Sequence, residues 1–176
     1  RMKRLRYRLR SLLHRQAIKK FEYFVNQNAS LVPLLNTRPD FSYPLAHRFL
    51  DKRFSAKQRL EAMCDNLTFL PEKLTALGLP PLWQHAISFG EVIPDFELKL
   101  MLSEHQPMEG FWTLELIHSP SQELVYLLTF GKVQQALLIA VIQGPNFEGS
   151  KDMVILLTTK CHGLRPAYLM VEAMKA

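Results

Sequence analysis

Leu5, Leu9, Leu12, Leu13, Ala17, Phe21 and Phe24 recur every three to four residues, and arginines and lysines fill much of the other face. That spacing predicts an amphipathic helix at the start of the chain. Asn26, Asn28 and Ser30 interrupt it. Residues 31–35 read as a further helical turn with Pro33 near its start, and Arg38-Pro39-Asp40 redirects the chain through a restricted pre-proline residue. A short helix opened by Pro44 is expected within residues 41–53. Ser55 is placed to cap a helix over residues 56–70 that buries Leu60, Met63, Cys64, Leu67 and Leu70, with Pro71 ending or kinking it. A short helix over 72–77 is stopped by Gly78, and Pro80-Pro81 makes a rigid break before residues 82–89.

The period then changes from helical to alternating. Phe96, Leu98, Leu100 and Leu102 point one way and Glu97, Lys99, Met101 and Ser103 the other, as in a half-buried strand. Turns at 106–110 and 119–122 separate a second strand, 111–118, and a third, 124–130, whose two apolar faces make it central. The fourth strand covers 134–142. Strands joined by such short turns form an antiparallel meander. After Gln143-Gly144-Pro145, Ser150 reads as an N-cap, Asp152 suits the positive end of the helix dipole, and Met153, Leu156, Leu157 and Lys160 continue the helical pattern. Gly163 fits the left-handed position past the helix end, and Pro166 opens a last helix over 167–175. The expected fold is α+β: a helical N-terminal region, a four-stranded antiparallel meander and a C-terminal helical pair. Its parts are a basic amphipathic arm (1–25), a helical region (26–94) and the sheet with its helices (95–176).

Composition adds charge asymmetry. With 48% hydrophobic and 22% charged residues, the 176-residue chain reads as globular. Nine of its 22 basic residues precede the first acid, Glu22, while the remainder carries 13 basic and 16 acidic residues, a balance of −3. The basicity is therefore a local arm on a mildly acidic domain. Arginines interrupt its apolar residues, which excludes a signal peptide, and no segment has the roughly 20 apolar residues of a spanning helix. A soluble or peripheral protein is expected, cytoplasmic or at the inner membrane. Cys64 and Cys161 lack metal-ligand spacing and read as structural thiols of a reducing compartment. His14, His47, His85, His105 and His118 have no ligand spacing to one another, so no metal site is expected. Glu97, Glu104, Glu109 and Glu115 lie around the strands at positions that usually face solvent. A nucleophile elbow, a phosphate-binding Walker loop and a complete dinucleotide fingerprint are all missing from the sequence. The chain opens on Arg1 ahead of Met2 and stops inside a helical pattern at Ala176, as a piece of a longer protein would.

The order Ile142-Gln143-Gly144-Pro145, Lys151-Asp152, then Thr159-Lys160-Cys161-His162-Gly163-Leu164-Arg165-Pro166 resembles the VirK family, also called the VirK and YbjX family, of enterobacterial proteins. Glu109-Gly110 and residues 127–130 extend the resemblance upstream. It implies a setting rather than a reaction: virulence and the bacterial envelope, with support of surface virulence factors and resistance to antimicrobial peptides. It also implies longer chains, in which a C-terminal part absent from this sequence could complete a site.

Three sets of residues are candidates for chemistry. The order of helices, meander, glycine-containing turn and helix resembles acyltransferases of the acetyl-CoA-dependent N-acetyltransferase fold, of which this would be a truncated version. That resemblance implies a phosphate cradle for an acyl donor such as acyl-CoA at Gln143, Gly144, Gly149 and Ser150, because helix-start amides and the dipole make an anion site. Pro145 removes one donor from it. The second set is the motif His162, Gly163, Arg165 and Pro166: His162 can act as a base and Arg165 can fork onto a phosphate or carboxylate, whereas helix termination alone explains much of the segment. The third is the basic arm, Arg4, Arg6, Arg8 and Arg10. It suits an anionic membrane surface or envelope component. Nucleic-acid phosphates are a weaker match, because Tyr7 is the only aromatic within the cluster. The alternative is a solvated helix face whose leucines pack on the domain.

Overall fold

The computed structural model describes residues 9–176. Residues 9–13 are helical and run through His14 into α1 (Arg15–Gln27). A short 3-10 turn leads to α2 (Val32–Thr37), with Pro33 in its first turn. A second turn precedes α3 (Tyr43–Ala46), opened by Pro44. The long α4 (Ala56–Ala76) is followed by β1 (Ile87–Ile93), β2 (Phe96–Leu102), β3 (Trp112–His118), β4 (Glu123–Val133) and β5 (Ala136–Gln143). Two helices close the chain, α5 (Ser150–Lys160) and α6 (Pro166–Lys175). The fold is α+β, as expected.

The strands follow one another in space as in sequence, β1-β2-β3-β4-β5, with every neighbouring pair antiparallel. The meander has five strands rather than four. Ile87–Ile93 lies in what reads as the helical half, because Gly90, at φ 72°, and register shifts on either side of Glu91 break the alternation that marks the other strands. The cradle turn thus follows the fifth strand, at the sheet edge.

Two helix boundaries also differ from expectation. One helix spans Pro71, which neither ends α4 nor starts a new one. Leu67 and Leu74 are buried on either side of the proline, so core packing outweighs the one backbone bond it removes. At the front of α4, Ser55 makes the expected cap in reciprocal form: Gln58 N–H donates to Ser55 Oγ at 3.3 Å, and Ser55 N–H to Gln58 Oε1 at 2.9 Å. At the front of α5, the cap is Gly149, at φ 81°, not Ser150, which is the first helical residue.

The core lies between the helices and one face of the sheet. In-register pairing sets Phe96, Leu98, Leu100 and Leu102 beside His118, Leu116, Leu114 and Trp112 on that face. Phe111 stacks on Phe41 at 4.4 Å and leans on Phe49 at 4.3 Å, while Leu157 and Met170 bring α5 and α6 onto the same core. The far end of β4 is tied to α4 by Asn66, which is fully buried. Its amide donates to Lys132 O at 2.8 Å and its carbonyl accepts from Lys132 N–H at 2.7 Å. Gly131 makes room for this bridge, since a Cβ there would lie 2.7 Å from Leu50 Cδ2.

Candidate functional site

β5 pairs with β4 as far as Gln143 opposite Leu127, and the chain then leaves the sheet. β4 continues back to Glu123 with β3 on one side and no β5 partner on the other. A cavity of about 340 Å³ occupies this opening, lined by residues 123–127 and 143–147. A second, open hollow of about 550 Å³ adjoins it and shares Tyr126, Gly144 and Pro145, adding Ser150, Lys151, Val154 and Ile155. Gly144 lets the chain pass close to the Tyr126 ring, since a Cβ there would sit 3.3 Å from it, a tight contact.

The start of α5 faces this groove without a side-chain cap. Ser150 N–H is taken by Phe147 O at 3.1 Å, and the first intrahelical bond runs from Met153 N–H to Gly149 O at 3.2 Å. The amides of Lys151 and Asp152 lie where no intrahelical carbonyl reaches them. Lys151 adds a cation and Asp152 a competing anion. Gln143, Gly144 and Ser150 therefore line one continuous groove, whereas Gly149 lines neither hollow and serves as the left-handed helix cap. Tyr126, whose ring forms the groove wall, is absent from the sequence-based candidates because nothing local marks it.

The motif after α5 is a helix stop. Gly163 N–H bonds to Thr158 O at 2.9 Å and His162 N–H to Thr159 O at 3.0 Å, the paired bonds of a Schellman motif. His162, at φ 53°, takes the first left-handed position and Gly163, at φ 87°, the second. Both are exposed, as is Arg165, while Pro166 is buried at the start of α6. Other residues that carry the family resemblance also have structural work. Lys160 reaches Pro94 O at 2.9 Å, pairs with Asp95 and sits 5.6 Å over the Phe96 ring. Glu109 pairs with Arg48, and a Cβ on Gly110 would collide with Phe130 O at 2.6 Å. Both cysteines are free, and burial pushes the Cys64 thiol up to about 11 and raises that of Cys161, so neither is an activated nucleophile.

Glu115 departs from the solvent-facing expectation. It is buried in β3, in register with Lys99 on β2 and Leu127 on β4. Its Oε1 accepts no hydrogen bond and lies 3.8 Å from His105 Nε2. Burial, with a smaller push from Glu104, drives its carboxyl above the ordinary glutamate range, while His105 and Lys99 pull the other way. Among the described residues no cluster of three His, Cys, Asp or Glu converges as a metal site.

In the basic arm, Arg10 is part-exposed, and Arg4, Arg6 and Arg8 lie outside the described residues. Among the described residues its leucines do not pack on the domain: Leu9, Leu12 and Leu13 are 60%, 69% and 72% exposed. Apolar packing of this helix on the core starts at Ala17 and Ile18 and becomes complete at Phe21 and Val25. The exposed stripe continues along the same helical face to Tyr23, flanked by exposed Arg15, Lys19 and Lys20. Among the described residues no helix is long and apolar enough to cross a membrane.

A family model described as protein of unknown function DUF535 matches residues 1–176. The chain is 71% identical over 174 residues to membrane protein LapB of Mannheimia haemolytica, covering 99% of this chain and 76% of that protein. It is 65% identical over 174 residues to an uncharacterized protein of Haemophilus influenzae, covering 99% of this chain and 59% of the relative. Identity to uncharacterized protein YbjX of Escherichia coli K12 is 28% over 179 residues, covering 97% and 54%. The chain thus spans about half to three quarters of the length of these relatives. No solved structure matches it. From its first residue to its last, the chain belongs to the DUF535 family, in agreement with its resemblance to the VirK and YbjX family.

Proposed function

We propose that this chain works on the surface of a bacterial membrane, docked through its N-terminal helix, in support of surface virulence factors and envelope integrity. The exposed stripe of Leu9, Leu12 and Leu13 carries this reading: three large apolar side chains, uncovered by the fold, beside Arg10, Arg15, Lys19 and Lys20. A helix of this kind lies in the headgroup plane, leucines inserted and cations against lipid phosphates. Each basic residue near an anionic surface contributes about 1 kcal/mol, and each inserted leucine adds up to about 2 kcal/mol. The name of the Mannheimia relative, membrane protein LapB, agrees with that placement. Sedimentation with vesicles is the test. The full-length protein is expected to pellet with phosphatidylglycerol vesicles, less so as salt rises, and to stay in the supernatant with phosphatidylcholine; equal behaviour with both lipids rejects the docking.

The groove beside Gly144 favours a second reading, an acyltransferase-like activity with a phosphate-bearing acyl donor. Uncapped amides at the start of α5, Lys151 and the open hollow under Tyr126 suit a pyrophosphate. Acetyl-CoA in 100-fold excess over its dissociation constant would stabilise the fold by about 2.7 kcal/mol in thermal melts. Gly144→Val, whose side chain meets the Tyr126 ring, is expected to abolish the shift; no shift in the wild-type full-length protein at millimolar acetyl-CoA sinks this reading.

A further inference from the structure

The face that the N-terminal helix turns toward the domain changes character along its length. Ala17, Ile18, Phe21 and Val25 pack on the core, and the same face carries half-buried Arg10, Ser11 and His14 further toward the start of the chain. α1 packs on α3 and α4. Those elements answer the cationic end with more cations: half-buried His47 and Arg48 just past α3, and Arg59 on α4, which is 7% exposed.

Only backbone carbonyls hold Arg59. Its Nε donates to Leu45 O at 2.9 Å and its Nη1 to Phe54 O at 2.7 Å, which satisfies hydrogen bonds and leaves the charge uncompensated. Among the described residues one carboxylate pairs with the cluster, Glu109, on Arg48. The sequence holds no acid ahead of Glu22. Two buried donors, Arg48 Nε and Ser11 Oγ, have no hydrogen-bond partner among the described residues. Burial, then Arg59 and Arg10, holds the His14 imidazole below the usual histidine range; burial, then Arg10, Arg48 and Arg59, does the same to His47. Every charge acting on the two rings is therefore positive.

A cluster of one sign with donors to spare suits an anion, and guanidinium groups suit phosphate oxygens above others. Three guanidinium groups against one carboxylate leave two positive charges. That matches a phosphate monoester, which carries two negative charges above its second pKa of about 6, whereas a phosphodiester carries one. We propose that the junction of the N-terminal helix with α3 and α4 binds a phosphate monoester, held by Arg10 and Arg59, with Ser11 Oγ and Arg48 Nε as further donors. The monoester is either a lipid headgroup, which the exposed leucines on the outer face of the same helix bring within reach, or a soluble phosphate ester. The site goes beyond the docking reading and needs no membrane to form.

The test gives full-length protein two sources of phosphate. In thermal melts above pH 7, inorganic phosphate is compared with sodium chloride at equal ionic strength; on vesicles, phosphatidic acid is compared with phosphatidylglycerol at matched vesicle charge. Phosphate is expected to raise the midpoint above chloride. R10Q, changed at a half-buried position, is expected to fold and to weaken phosphate binding by about 10-fold or more, the loss of one charge-assisted hydrogen bond; only the general salting share of the shift persists in it. K19Q removes the same charge from the exposed face and is expected to keep the full shift. A preference for phosphatidic acid that is lost in R10Q and kept in K19Q assigns the site to a lipid headgroup, and the solution shift without that preference assigns it to a soluble ester. Equal responses of wild type and R10Q in both arms overturn the proposal, as do equal losses in R10Q and K19Q. Absence of binding to any anionic vesicle rejects the docking alone, and the melts then decide the site.

Discussion

His162 holds a left-handed backbone at φ 53° without the freedom of glycine, in the first position beyond α5. Such a conformation costs a residue with a Cβ about 1 kcal/mol, so His162→Gly is expected to raise unfolding stability by that amount in urea titrations. An unchanged or lowered stability would mean that the imidazole makes up the difference. Glu115 behaves oppositely in kind: burial raises its folded proton affinity above the unfolded value. Between those two values the folded state holds more protons, so stability falls as pH rises through the window from the ordinary glutamate pKa upward. E115Q is expected to lack that fall, and an identical pH dependence in wild type and variant would show that the charge is compensated. The helix stop from His162 to Pro166 was legible because Gly and Pro have local meaning. Glu115 was not, since its burial comes from partners on two other strands and from a loop roof, and none of these leaves a local signal.

Elements were readable where their own residues set them. Ser55 and Gln58 announce the start of α4 through a reciprocal cap, and β2 announces itself through strict alternation. β1 was hidden because bulges around Glu91 scramble its period, and Pro71 misled because tertiary burial of Leu67 and Leu74 carries the helix across it. The joint between the helical half and the sheet depends on Asn66, a contact 66 residues apart in sequence and invisible to periodicity. Asn66→Ala leaves the Lys132 N–H and C=O without their buried partner, and is expected to cost about 3 kcal/mol, seen as a lower denaturation midpoint with an unchanged slope. A loss below about 0.5 kcal/mol would show that water replaces the amide, since a single net hydrogen bond contributes about that much.

Across the whole molecule, charge and apolar surface divide unevenly. The domain closes its core around Phe111, Leu157 and Met170, yet leaves three leucines of the basic helix uncovered. The arm's charge was legible in the sequence, and so was its amphipathic period. The exposure of Leu9, Leu12 and Leu13 was not, because periodicity shows that a face is apolar without showing what meets it. The groove at Gly144 and the exposed stripe are separate features, so loss of one should leave the other intact. Membrane docking is measured most directly by sedimenting full-length protein with phosphatidylglycerol vesicles and comparing wild type with the triple variant L9S/L12S/L13S, which keeps every charge. The exposed positions should leave the fold unchanged and vesicle binding should fall by about 10-fold or more, the loss of at least one leucine's insertion energy. Wild-type binding by the triple variant would contradict the docking.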